Sequence, residues 1–458
     1  MTNKNTIRCI SLTIALLLVV SMSSGCIQNM SEDIFIKQNE LPQIISELEP
    51  TPLDSLLKID SCQPNFLIRE DDEELTLEHF LADLDYLMWV LENNFPFFYT
   101  AYWARNVDIN QLAYGARQAI LSTDEIDEEI FFEIMWYYFE SLHNIGHFGF
   151  LNHIQYHILR MQLEEAPYDR LGLFELLDSP RVQGFYSSRV TESASIMVTK
   201  RESNTPDTTI TIIEDEPIAI ITIPSFMGSH EDAVNKITKL YAEIDRFDHL
   251  IIDIRGNRGG WPFLFTETIM GLLVDGVPRE EWFVFFMDGE YITRLTSVVL
   301  ASGIFPGYVL PRNIFGSIDE IISNNYLPQL VEEDIDRFSY AFLAGVPVGM
   351  PGDAQFTFNG EIWLLVDENN FSGAQITAWI TKETGFATLV GDITGGAWGG
   401  LRLYSAMPNT GILFQFDAFY ITDQFGRPLE AGTIPHYFNK SGMDALETTF
   451  ALIAGGYR

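Results

Sequence analysis

Two short stretches of the chain combine residue types that can do chemistry with turns able to hold them. In VDENNFSGAQITAW, residues 366–379, an apolar strand-like run from Glu361 to Asp367 stops at a polar corner, and a helix-like run opens at Ser372-Gly-Ala. A serine at such a corner has two uses. It can cap the helix by accepting from the first amides. It can also be a nucleophile, with the N–H groups of the helix start placed to stabilise an oxyanion. In LIIDIRGNRGG, residues 250–260, a nearly unbroken apolar strand of the kind buried on both faces leads into a turn containing Gly256, Gly259 and Gly260. Glycines allow positive φ and close backbone approach, so this turn can aim amides into a site. It lacks the Gly-Lys-Ser/Thr ending of a phosphate loop, and it lacks dinucleotide spacing. Asp253 and Arg255 read as ties within the turn rather than as catalytic groups.

The elements that carry these stretches alternate. Residues 209–213 and 218–223 read as a hairpin, and Ser229-His-Glu-Asp232 as a capping box opening a helix. Strand 250–254 follows, then a helical stretch at 261–274, strand 361–367, helix 372–384 and strand 387–390. Strand and helix in alternation imply crossover units of an α/β core. Residues 278–355 interrupt the order as an insertion rich in Pro and Gly turns. Upstream, residues 75–149 form a helical domain. One helix runs from about 77 to just before Pro96, a second over 107–120, and a third starts at Ser122 or Thr123 and runs to Leu142. Residues 150–207 are a mixed connecting segment, 208–446 the core, and 447–458 a C-terminal tail.

The chain has 458 residues and a net charge of −37, which argues against nucleic acid as a partner and against charge-driven adhesion to anionic lipid. Residues 1–25 read as a signal peptide. Lys4 and Arg8 give a positive start, and the apolar run from Cys9 to Met22 is too short for a membrane span. Ser23-Ser-Gly-Cys26 resembles a bacterial lipobox, in which Cys26 becomes the lipidated first residue; ordinary secretion is the alternative. Both place the mature chain outside the cytoplasm. Residues 26–74 form a polar, acidic tether with Pro42, Pro50, Pro52 and Pro64. Cys62 is then the one mature cysteine without lipid, which leaves no intramolecular disulfide.

Leu250–Gly260, Trp363–Ile376 and ATLVGDITGG at 387–396 together resemble the tail-specific, or carboxy-terminal-processing, serine peptidase family. The resemblance covers about residues 75–440. It implies an α/β, crotonase-like core related in shape to the Clp protease, with an N-terminal helical domain. It also implies Ser372 as nucleophile, with an oxyanion hole made by the N–H of Gly373 and that of Gly259 or Gly260. One branch of the family uses a lysine base about two dozen residues after the serine. The corresponding turn, Thr394 to Gly400, holds no lysine, and Lys382 lies toward the far end of the serine's own helix. The other branch resembles the tricorn core and the retinoid-binding-protein-like members, and takes a histidine from a Gly-His turn. SLHNIGHFGF, residues 141–150, supplies His147 for that role, and GRPLEAGTIPH, residues 426–436, supplies Glu430 to orient it. The family's Asp after that proline is replaced here by His436.

The resulting expectation is an extracytoplasmic serine endopeptidase, with Ser372, His147 and Glu430 as a triad acting on peptides or unfolded proteins without a cofactor. Outside the resemblance, His147 also reads as a helix-end histidine favoured by the dipole and Glu430 as a surface acid. His143, His147, His153 and His157 form two i,i+4 pairs, but the glycines between them and the lack of an HExxH glutamate argue against a metal site. The gap from 148 to 207 is short for a PDZ domain, so none is expected. The alternatives are a non-catalytic peptide- or ligand-binding lipoprotein on the same scaffold and, more distantly, a crotonase-type acyl-CoA enzyme, which an extracytoplasmic location opposes.

Overall fold

The computed structural model describes residues 65–70, 73–142, 145–164, 173–187, 207–213, 215–227, 230–260, 262, 264–274, 279–287, 310–311, 329–335, 337–347, 354–397, 402–423 and 425–455. The signal-like segment, Cys26, Cys62 and most of the tether lie outside these residues. Among the described residues no helix is long and apolar enough to cross a membrane.

The N-terminal helices follow their apolar spacing. Helix α1 (Leu77–Asn94) buries Phe80, Leu84, Leu87, Val90 and Leu91, and gives way at Phe95, where the following proline disfavours helical backbone. Helix α2 (Phe98–Arg105) was not expected; aromatic residues spread around its two turns leave no clear 3.6-residue contrast. Helix α3 (Ile109–Ser122) is capped by Asp108, and α4 (Glu128–Phe139) by Asp127. The acidic run thus divides: Asp127 satisfies the first amides, and Glu128 and Glu129 face the positive helix end. After the Gly146-His147 turn come β1 (Gly149–Phe150), α5 (His153–Glu164), α6 (Leu173–Leu177) and α7 (Pro180–Ser187).

The core then runs β2 (Thr209–Ile213), β3 (Ile218–Thr222), α8 (Glu231–Tyr241), β4 (His249–Asp253), a π-helical turn at Leu264–Met270, β5 (Arg279–Met287), β6 (Leu310–Pro311), α9 (Glu332–Ile335), β7 (Phe338–Pro347), β8 (Glu361–Val366), α10 (Gly373–Glu383), β9 (Thr388–Gly391), β10 (Arg402–Ala406), β11 (Leu413–Asp417), β12 (Tyr420–Ile421), β13 (Tyr437–Phe438) and α11 (Ala445–Ala454). Helix α8 starts after His230, which makes no side-chain cap; Ser229 of the expected capping box lies outside the described residues. Six strands form the main sheet in the order β13-β9-β8-β4-β3-β2. All pairs are parallel except the β2–β3 hairpin.

Strand β4 is buried on both faces, as its composition implies. Leu250 and Ile252 enter the large core, while Ile251 joins Ile218, Ile220, Trp363, Leu365 and Val390 on the opposite face. That second face is covered by α11, through Ala445, Leu446, Phe450 and Ile453. Residues 447–454 are therefore part of the core and not a tail; a parallel sheet needs both faces shielded, and this helix shields one. The insertion supplies β5, β6 and β7, which build a second, antiparallel sheet with β12. A third sheet, β1-β11-β10, joins the helical domain to the core.

One buried carboxylate fastens α1 to the turn between β10 and β11. Asp83 is fully buried and accepts from Asn409 N (2.8 Å), Asn409 Nδ2 (3.0 Å), Thr410 N (2.8 Å) and Thr410 Oγ1 (2.7 Å). Burial pushes its pKa up to about 6 against these hydrogen bonds, which favour the charged form. Asp83→Ala strands the donors and is expected to cost about 3 kcal/mol of stability. Urea unfolding of the variant at neutral pH checks this, and an unchanged midpoint would refute it.

Candidate active site

Ser372 sits between β8 and α10, and the intervening turn is held by its polar residues. Asp367 accepts the N–H of Gly256 through both carboxylate oxygens (3.1 and 3.0 Å). Asn370 Nδ2 donates to Ile254 O (2.5 Å) and to Asn257 O (3.3 Å), and Ser372 N donates to Gly396 O (3.1 Å). The serine is pinned at φ 56°, ψ −121°. Backbone of this kind is costly for a residue with a Cβ and persists only where the surroundings over-determine it. Its side chain makes no capping hydrogen bond. The cap reading of this serine is therefore not what the fold uses.

The two glycine-containing turns meet at this point. A Cβ on Gly259 would stand 2.8 Å from Gly373 N and 2.9 Å from Ser372 Cβ, so only glycine permits the approach. The N–H of Gly259 is already spent, donating to Asn257 Oδ1 (2.8 Å). Gly260 N and Gly373 N make no hydrogen bond among the described residues. Gly373 is the first residue of α10, where an amide has no intrahelical acceptor. Of the two glycines expected to donate, Gly260 is the one left free to do so. Asp253 and Arg255 are ties, as expected: the guanidinium binds Asp253 through Nε (2.9 Å) and Nη2 (2.7 Å), and reaches Asp444, the N-cap of α11, through Nη1 (2.9 Å).

His147 comes from the other end of the fold. Gly146 and His147 both adopt left-handed backbone, φ 53° and 50°. A Cβ on Gly146 would stand 2.9 Å from Phe95 Cε2 and closer still to Phe97. The turn leads into β1, which pairs with β11 so that Gly149 faces Gln415. This register places His147 Nδ1 2.5 Å from Asp417 Oδ2, while Asp417 N donates to Gly146 O (2.6 Å).

The carboxylate bonded to the imidazole is thus Asp417, and the expected His147–Glu430 hydrogen bond is not made. Glu430 Oε1 instead accepts the N–H of Gly146 (2.6 Å), one residue before the histidine. The physical reason is the pairing of β1 with β11, which brings a nearer carboxylate to the ring. His147, Asp417 and Glu430 are 6%, 3% and 2% exposed, so the cluster is dry. Burial pushes the Glu430 pKa up to about 8, helped by the charge of Asp417 and opposed by the amides of Gly146 and Ala397 and by Arg105. At neutral pH Glu430 is mostly protonated. His147 Nε2 is buried without a hydrogen bond, and the ring of Phe371 stands edge-on to the imidazole with centroids 4.7 Å apart. The residue preceding the serine thus touches the histidine.

Further residues hold this assembly. Gln375 on α10 donates to Leu429 O (3.1 Å) and Thr433 Oγ1 (3.1 Å) and accepts from Thr394 Oγ1, tying the helix that follows Ser372 to the Glu430 turn. Asn257, Asn370, Gln375 and Asp417 went unidentified in the sequence. Asp417 alone had a signal, as the end of the apolar run Leu413-Phe-Gln-Phe. Lys382 is committed to Ile434 O (2.9 Å), and His436 closes on Leu389, accepting its N–H (2.9 Å) and donating its own to the Leu389 carbonyl (3.0 Å). Neither reaches the serine's turn by a hydrogen bond. His153 stacks on Phe185, and His143 lies outside the described residues. Among the described residues no group of three or more His, Cys, Asp or Glu could hold a metal ion.

Residues 217–276 and 316–438 match the family model of Peptidase family S41. None of the curated proteins matches the chain. Among solved structures, a protein from Parabacteroides merdae is 16% identical, with a TM-score of 0.48 over 81% of this chain and 96% of its own. Mature CPAF, solved with lactacystin, is 13% identical, with a TM-score of 0.47 over 79% of this chain and 94% of its own. The photosystem II D1 C-terminal processing protease is 10% identical, with a TM-score of 0.34 over 80% and 94%. The matched segments carry Ser372, both glycine turns, Asp417 and Glu430, and in them the chain is similar to peptidase family S41, a family of serine-type hydrolases.

Proposed function

We propose that the chain is an extracytoplasmic, lipid-anchored serine endopeptidase with a crotonase-like core and no PDZ domain, cutting peptides or unfolded proteins through an acyl-enzyme on Ser372. The observation that carries the reading is the backbone of Ser372, forced to φ 56° with its hydroxyl uncommitted as a cap and an orphan helix amide next to it. Location rests on the signal-like N-terminus and on Cys26 as the lipidated residue.

In this reading Ser372 Oγ attacks the peptide carbonyl carbon and its proton passes to His147 Nε2. The N–H groups of Gly373 and Gly260 receive the oxyanion. Collapse breaks the C–N bond, and the amine leaves with the proton from Nε2. Water then repeats the sequence to release the acid. Asp417 holds the ring through Nδ1, which fixes Nε2 as the acceptor and favours the imidazolium while it lasts. The unbonded Nε2 of the free chain gains its partner when the substrate settles, since catalytic hydrogen bonds commonly tighten in the substrate complex.

A fluorophosphonate probe is expected to label Ser372, and Ser372→Ala to abolish both labelling and peptide hydrolysis while the protein stays folded. Absence of labelling in the folded chain would instead favour a binding lipoprotein. Asp417→Asn is expected to lower kcat by about 10³-fold or more, by loss of the correct tautomer. Glu430→Gln replaces a mostly neutral acid by a neutral isostere and should keep most of the rate at neutral pH; the reverse ranking of the two variants would return Glu430 to the orienting role. The pKa of Glu430 is raised on folding, so its contribution to stability is full below about pH 4.5 and is lost as pH rises through about 8. Urea midpoints of the parent should therefore fall across that window more than those of Glu430→Gln, and parallel curves would contradict the assignment.

A further inference from the structure

The insertion between the strands of the main sheet reaches the helical domain through one buried carboxylate. Asp334, on α9, is fully buried, and one oxygen carries both of its hydrogen bonds. Oδ2 accepts from Thr100 Oγ1 (2.7 Å) on α2 and from Tyr420 Oη (2.9 Å) on β12, while Oδ1 makes none. Arg337, just beyond α9, holds its guanidinium carbon over the rings of Phe98 (5.2 Å) and Tyr99 (5.9 Å) and donates to Glu92 O, so the same short segment grips both α1 and α2. Burial raises the Asp334 pKa against the hydrogen bonds of Thr100, Tyr420 and Trp103 and the charge of Arg337. An apolar residue of similar size would join these elements with less penalty, because a buried carboxylate with an unbonded oxygen is costly. What the carboxylate adds is direction: it fixes the Tyr420 hydroxyl at one point.

Tyr420 follows Asp417 by three residues. Asp417 ends β11 in the sheet that receives β1, and Tyr420 pairs with Phe285 in the sheet built by the insertion, so the chain changes sheets between them. The Tyr420 ring stacks on Phe97 with centroids 5.8 Å apart, and a Cβ on Gly146 would stand 2.7 Å from Phe97 Cε2. Asp334 is thus linked by a short piece of chain to the acid that bonds His147, and by two packing contacts to the turn that carries the histidine. Tyr420 and Phe97 are both buried, so neither link runs through solvent. We propose that Asp334 is a positioning residue: by fixing the Tyr420 hydroxyl it sets the alignment of Asp417 with His147, and a residue of the insertion thereby governs a base it does not touch. The proposal rests on the peptidase reading of the same site and adds the insertion to what that site requires.

Four variants of the full chain test this. Asp334→Leu removes both hydrogen bonds, Asp334→Asn keeps an oxygen to accept them, and Tyr420→Phe and Thr100→Val each delete one. Rates are taken per folded molecule, with urea midpoints recorded beside them. Asp334→Leu and Tyr420→Phe should slow fluorophosphonate labelling of Ser372 and lower kcat for a peptide substrate by about tenfold, with KM within about twofold. Asp334→Asn should keep most of the rate. Thr100→Val should stay within about twofold of the parent, although it loses a hydrogen bond to the same oxygen. A mere brace predicts that Tyr420→Phe and Thr100→Val act alike; that outcome, or an unchanged rate in Tyr420→Phe, overturns the proposal. The tautomer of His147 gives a readout that needs no turnover. In protein carrying isotopically labelled histidine, with His147 assigned through His147→Gln, nuclear magnetic resonance should show the neutral ring protonated on Nδ1 in the parent and in Asp334→Asn, and a mixture of tautomers in Tyr420→Phe. A single tautomer in all three overturns the proposal. A parent that resists the probe while showing this difference counts against the peptidase reading and supports the positioning role.

Discussion

The pairing of two residues after the Gly-His turn, Gly149 and Phe150, with β11 is the contact on which the site depends. It brings an imidazole and a carboxylate separated by 270 positions to 2.5 Å inside a dry cluster. A buried carboxylate needs compensation. Asp417 obtains it from the Nδ1 hydrogen bond, while Glu430 gives up its charge instead. Two neighbouring buried acids cannot both ionise cheaply, so their environments drive them into different roles. One holds the ring through Nδ1. The other is a neutral acid that holds the backbone before it.

The serine's half of the site obeys a different constraint. Positive φ at Ser372 is unfavourable, and no single contact maintains it. Asn370, Asp367 and the Gly396 carbonyl fix the turn, and the turn in turn lies against Gly259. Because α10 begins at the next residue, the strain goes with a serine hydroxyl that does not cap the helix and with a Gly373 amide that is unbonded among the described residues. The parallel sheet makes this placement natural: β4 and β8 are neighbours, so the loops at their carboxyl ends meet in one crevice.

Much of the core was legible because its signals are local. The apolar run 250–254, the helix after Ser372 and the hairpin at 209–222 declare themselves by period and by turn chemistry. The helix Phe98–Arg105 did not, since it is two turns long and its aromatic residues are spread around it. Helix α11 was mistaken for a tail because its ten residues carry an amphipathic signal but no hint of the uncovered sheet face they close. Strands 402–406 and 413–417 were passed over, and with them Asp417, because short strands are defined by their partners more than by their composition.

The sequence by itself determined the serine at a strand-to-helix corner, the glycine turn that had to approach it, and the Gly-His turn that could supply a base. These depend on a few consecutive residues and on conformations that only certain side chains tolerate. Tertiary structure decided which acid serves the histidine and which glycine amide stays free. Those outcomes turn on register and burial: a strand paired one residue differently would aim Asp417 at the other face, and the same glutamate in water would be an ordinary anion.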